Sequence, residues 1–158
     1  MANDQLSPNW ADAQPVTEIW RPVPSEPGIL VSNAGRVLLQ PGYAPLPNGG
    51  YRAYMPEPRV GSVASATKGA AHVYYNIVLP KGRTRKVHQL VCEAFHGPKP
   101  FPRAVVIHLD ENGLNNRPEN LKWGTQKENL NMPGFLAYCR ARIGADNPFV
   151  KGRKQDGI

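Results

Sequence analysis

Apolar positions along this chain fall into short runs, and most of the runs carry β character. Glu18-Ile19-Trp20-Arg21-Pro22-Val23 is half apolar and is closed by Pro22 and Pro24, which suits a short strand. Ile29-Leu30-Val31-Ser32 and Arg36-Val37-Leu38-Leu39 flank Asn33-Ala34-Gly35, so two β-like runs around a turn predict a hairpin. Residues 72–79 are dense in β-branched and aromatic side chains and predict a strand. Pro80-Lys81-Gly82-Arg83 reads as a turn, and Thr84-Arg85-Lys86-Val87 as the returning strand.

The period then changes. Leu90, Val91, Ala94 and Phe95 share one face of a short amphipathic helix over residues 88–95, closed by Gly97-Pro98. Residues 104–109 predict another strand, followed by a turn at Asp110-Glu111-Asn112-Gly113. A tight loop from Arg117 leads into a strand at residues 121–123. Thr125-Gln126-Lys127-Glu128 has the capping-box pattern of a helix start. That helix would carry Asn129 and end near Met132-Pro133, and residues 135–143 predict one more short helix. The order strand, turn, strand, helix over residues 104–132 is a ββα unit.

Residues 41–70 are rich in Pro, Gly, Ala and Ser and read as a long loop, interrupted by one irregular strand at residues 51–55. Residues 1–15 read as a flexible arm, and the end as a basic tail around Lys151-Gly152-Arg153-Lys154. The expected class is therefore α+β. A small N-terminal β module at 16–40 precedes the loop, a domain at 71–132 holds the ββα core, and a short helix and tail fill 133–158.

Composition narrows the class of partner. The 158 residues suit one domain with appended arms, and 17 prolines with 15 glycines point to much irregular chain and a small core. A formal charge of +7 points to a polyanion, most often nucleic acid. Cys92 and Cys139 stand far apart and neither belongs to a Cys-x-x-Cys pair, which argues against a zinc cluster. Both read as small apolar residues in a reducing cytosol. The polar N-terminus does not resemble a signal peptide, and no apolar run is long enough to span a bilayer, so the expected location is cytoplasmic.

The chemistry concentrates between His108 and Asn129. An imidazole at the end of a strand titrates near neutral pH and can take a proton from water. An amide oxygen on the following helix, at Asn129, can ligate Mg²⁺, which prefers oxygen. Asn120 offers both a donor and an acceptor, and could tie the loop to the strand and orient the imidazole.

These residues resemble the HNH nucleases, the ββα-metal (His-Me finger) fold, in the subgroup found among phage and intron homing endonucleases. The resemblance is carried by Val87-His88-Gln89-Leu90-Val91 with Ala94-Phe95, then His108-Leu109-Asp110, Asn115-Asn116, Asn120-Leu121-Lys122-Trp123 and Glu128-Asn129. Trp20-Arg21-Pro22-Val23 and Val31-Ser32-Asn33-Ala34-Gly35-Arg36-Val37 resemble a small module that often precedes such domains. The resemblance implies a metal-dependent DNA endonuclease using one divalent ion, Mg²⁺ or Mn²⁺. It places His108 as general base, Asn120 as its support and Asn129 as metal ligand. One base and one metal suit the nicking of one strand of double-stranded DNA; the oligomeric state is left open, with a monomer slightly favoured.

One departure weakens the metal site. The residue before the base histidine is commonly a metal-binding aspartate in the subgroup, and here it is Ile107. Asp110, roughly 6–7 Å further along an extended strand, either supplies the missing oxygen or simply starts the turn, and the second is the blander reading. The alternative function is a DNA-binding protein derived from such a nuclease, with weak or lost cleavage. Arg83, Arg85 and Lys86 on the predicted hairpin, and Arg117, Lys122 and Lys127 near the site, are the expected phosphate contacts. His88 reads as structural, Asn115 and Asn116 as loop-forming.

Overall fold

The computed structural model describes residues 17–54, 56–65 and 72–143. The expected arm at 1–15, the tail at 151–154 and residues 66–70 of the expected loop lie outside the described residues. Three short strands open the chain: β1 (Trp20–Pro22), β2 (Leu30–Ser32) and β3 (Val37–Leu38), paired antiparallel in that order. Their turn at Gly35 has φ +76, and a Cβ there would come within 3.0 Å of the Asn116 side chain. Only glycine fits both the left-handed backbone and the close approach.

The stretch read as a long loop holds three strands. β4 (Gly42–Pro45) and β5 (Tyr51–Tyr54) form a hairpin, and β6 (Ser62–Ser65) joins β7 (Val73–Val78) and β8 (Thr84–Lys86) in a second three-stranded sheet. β5 falls on the strand expected at residues 51–55, whereas composition hid β4 and β6, for two reasons. Pro45 sits at the end of its strand, where a missing N–H costs little. Ser62-Val63-Ala64-Ser65 has little β signature of its own, but pairs with the strongly β-forming β7 (Val63 opposite Tyr75).

Helix α1 (Val87–His96) is the centre of the molecule. It packs against β1, β2, β7, β8, β9 (Val105–His108) and β10 (Leu121–Gly124). Val87, Leu90, Val91 and Cys92 are fully enclosed and meet Val31 and Val37 on one side, and Ile77, Val106 and Leu121 on the others. Each such aliphatic side chain contributes about 1.5–3 kcal/mol by burial. One core thus serves both the N-terminal strands and the ββα unit. Polar contacts bridge the same boundary. Glu26, 4% exposed, pairs with Arg83 and Arg85, while Glu93 on α1 accepts from the Ser25 N–H (2.6 Å) and hydroxyl (2.7 Å). Two further helices follow β10: α2 (Gln126–Leu130) and α3 (Pro133–Ile143). The architecture is α+β.

Candidate active site

β9 and β10 pair antiparallel, with His108 opposite Leu121, Lys122 opposite Ile107 and Trp123 opposite Val106. Alternation along β9 sends Val106 and His108 to one face and Ile107 to the other. The first two line a cleft of about 200 Å³, whose walls also include Tyr74, Glu111, Gln126 and Asn129. Ile107 is fully buried. A Cβ on Gly124 would lie 2.5 Å from its Cδ1, so the absence of a side chain there makes room for the isoleucine.

Asn129 reaches the cleft because α2 starts where it does. Thr125 Oγ1 accepts from the Glu128 N–H (3.1 Å), and Glu128 Oε2 accepts from the Thr125 N–H (2.6 Å). This reciprocal cap is what the sequence pattern predicts, and it supports a helix of only five residues.

His108 is 7% exposed and packs against two rings. The His88 centroid lies 5.0 Å away, nearly perpendicular, and that of Tyr74 lies 5.8 Å away. Burial lowers the His108 pKa, while the Asn116 hydrogen bond and the charge of Asp110 oppose that shift. His88 is displaced further: burial, with the neighbouring His108 and Lys86, pushes its pKa down to about 3, so it is neutral at physiological pH. Its Nδ1 is buried without a hydrogen-bond partner. Burial also raises the Tyr74 pKa.

The His108 side chain is hydrogen-bonded by Asn116, whose Oδ1 lies 3.2 Å from Nε2. Sequence reasoning read Asn116 as a loop residue. No local pattern separates it from its neighbour Asn115; the contact depends on how the loop folds back. With Oδ1 accepting from Nε2–H, the lone pair of the imidazole sits on Nδ1. Asn120, expected beside the base, acts one step away. Its Nδ2 donates to Asp110 Oδ1 (2.8 Å) and to the Asn115 carbonyl (2.9 Å), and its Oδ1 accepts from the Asp110 N–H (3.0 Å). It stitches the turn to β10 and bears on His108 only through that turn.

Asp110 belongs to the turn. Oδ1 also accepts from the Asn112 N–H (2.9 Å), and Oδ2 accepts from Asn115 Nδ2 (2.7 Å). The Asn115 and Asn112 hydrogen bonds hold its pKa below the usual range. Asp110 is not among the residues that line the cleft. Glu111, which sequence reasoning passed over, does line it.

The expected phosphate contacts divide. Arg83 and Arg85 are paired with Glu26, and Arg85 also approaches Glu93 at 3.9 Å, so these two help to join the N-terminal strands to the core. The Lys86 ammonium sits 5.1 Å over the Tyr74 ring, beside the cleft. Arg117, Lys122 and Lys127 are exposed on and around the β10–α2 segment.

Oxygens of Asn129, Gln126 and Glu111 beside one imidazole suit a hard cation. Mg²⁺ takes one or two carboxylates and fills its remaining positions with water and substrate phosphate. Among the described residues, no three His, Cys, Asp or Glu side chains gather to hold a metal, so a cation here would draw most of its ligands from amide, water and phosphate oxygens. Also among the described residues, no helix is long and apolar enough to cross a membrane.

No curated protein matches the chain. A solved structure described as "DNA binding and cleavage by the HNH homing endonuclease I-HmuI" is similar to it, with 27% sequence identity over 79% of this chain and 67% of that one, and a TM-score of 0.46. The HNH endonuclease family matches residues 85–131, from the end of β8 through α1, the β9–β10 hairpin and α2. The segment that brings His108, Asn120 and Asn129 into one ββα unit is therefore similar to HNH endonuclease domains.

Proposed function

We propose that this protein is a metal-dependent DNA endonuclease that cuts one strand per binding event. The observation that carries the reading is the shared cleft of His108 and Asn129, on strand and helix of a segment matched by an endonuclease family. The formal charge of +7 supports a nucleic-acid partner.

His108 acts as the general base. Its lowered pKa leaves it neutral at physiological pH, and Asn116 on Nε2 leaves Nδ1 to take the proton from water. Tyr74 and His88 hold the ring by packing against it and keep bulk water from it. The Asn116 carboxamide stabilises the imidazolium that forms. Asn129, with the other oxygens of the cleft, would hold the divalent ion. When bound, that ion supplies charge stabilisation for the phosphorane-like transition state and the leaving oxygen. Arg117, Lys122 and Lys127 would neutralise flanking phosphates.

The test is relaxation of supercoiled plasmid with Mg²⁺ or Mn²⁺ by the wild type, His108→Ala and Asn129→Ala. Open-circular product from the wild type, reduced at least a hundredfold in both variants, is the expected result. DNA binding by the wild type with no nicking would replace this reading with the second one, a non-cleaving DNA-binding relative of such nucleases.

A further inference from the structure

The turn after His108 presents a carboxylate that the reading above leaves unused. Glu111 has a left-handed backbone (φ 59), and its carboxylate shares no partner with the Asp110 cluster. The residue lines the same cleft as His108 and Asn129. It is also held from behind. Oε2 accepts from the Gly134 N–H (2.8 Å) and Oε1 from the Phe135 N–H (3.1 Å), both in the first turn of α3. The seat is shaped for it: a Cβ on Gly134 would lie 2.7–2.9 Å from the three carboxylate atoms.

An anionic side chain in a cleft that must admit a phosphodiester is unfavourable, because two negative groups would be brought together away from bulk water. A divalent cation between them reverses the sign of that interaction. The two N–H contacts leave room for it. An ionised carboxylate has about four acceptor directions, and α3 uses two of them.

Resting on the metal-dependent reading above, we infer that Glu111 is the carboxylate ligand of the catalytic cation, clamped in position by the first turn of α3. It would supply the acidic oxygen that Ile107 cannot, and α3 would thereby become part of the metal site rather than an appendage. The arrangement also explains why Asp110 can be spent on the turn. The anionic ligand comes from the next residue.

The test reads metal binding directly, without turnover. Mn²⁺ is titrated into the full-length protein, alone and with a short DNA duplex, and free Mn²⁺ is followed by electron paramagnetic resonance. The variants are Glu111→Gln, Gly134→Ala and Asp110→Asn, with circular dichroism to establish that each is folded. Glu111→Gln, nearly isosteric, should weaken Mn²⁺ binding at least tenfold. Gly134→Ala, which pushes the carboxylate off its seat, should weaken it severalfold. Wild-type affinity in a folded Glu111→Gln overturns the assignment but leaves the metal-dependent reading standing. Loss of binding in Asp110→Asn with retention in Glu111→Gln gives the role to Asp110. A wild type that binds no Mn²⁺ in either condition overturns both the assignment and the reading it rests on.

Discussion

Replacing Ile107 with aspartate separates two views of the site. If position 107 faced the cation, the change would add a ligand and raise cleavage. The structure points the other way. Ile107 lies on the face of β9 opposite His108, fully buried, with its Cδ1 against Gly124. Removing most of a buried isoleucine side chain costs about 2–5 kcal/mol. A buried carboxyl group without a full set of hydrogen bonds adds about 1–3 kcal/mol. Together these remove roughly 3–8 kcal/mol, a large share of the ~5–15 kcal/mol that holds a domain together.

The loss should depend on pH, in a direction that follows from burial. Burial raises the pKa of the new Asp above its unfolded value of about 3.9. Below that value both states are protonated and the penalty is smallest. As pH rises toward the folded pKa, the unfolded chain ionises and the folded one does not, so the penalty grows by about 1.4 kcal/mol per unit. Urea denaturation followed by tryptophan fluorescence, with wild type and variant compared at mildly acidic and neutral pH, reads this directly. A variant as stable as wild type at neutral pH would refute the reasoning. So would one rescued by Mn²⁺ together with faster nicking, because residue 107 would then face the metal.

Four further outcomes are expected. His88, with its pKa pushed down to about 3, resists protonation when folded, so stability is complete above about pH 6.5 and is lost as pH falls below it, on the order of 4 kcal/mol by pH near 3; His88→Phe should flatten the acid limb of a urea-midpoint profile, and an unchanged limb would place the acid sensitivity elsewhere. Asn116→Ala removes the bond to Nε2 and should slow nicking about five- to tenfold, with the acid limb of the pH–rate profile moved to lower pH because that bond raises the His108 pKa; a limb that moves up contradicts the proposed contact. Thr125→Ala unmakes the cap of α2 and should cost about 1 kcal/mol in thermal or urea unfolding, with a larger proportional loss of nicking because Asn129 rides on that helix. Glu26→Gln leaves Arg83 and Arg85 without their carboxylate and should lower stability by roughly 2 kcal/mol, less than the ~3–5 kcal/mol of a fully buried pair because Arg83 is largely exposed; a gain in DNA affinity without loss of stability would return these arginines to the phosphate role.

Much of this protein is local. The β-branched and aromatic density of Val73–Val78, the apolar face of α1 and the Thr125–Glu128 box are each written within a few residues, because strand propensity, helix period and capping are short-range physics. So is the order of elements that sets His108 on a strand and Asn129 on the next helix. What depended on folding was the assignment of neighbours. Ser62–Ser65 became a strand only because β7 offered an edge. Of the asparagines after the turn, Asn116 meets the imidazole and Asn120 meets the turn, and nothing in their spacing separates those roles. Two adjacent acids likewise diverge, Asp110 into a hydrogen-bonded turn and Glu111 into the cleft, because the chain passes through a left-handed conformation between them. By itself, then, the sequence determined the ββα order, the histidine at the end of β9 and the helix that faces it. Only the tertiary structure decided which polar side chains surround that histidine, since those contacts are made between segments whose approach no local pattern encodes.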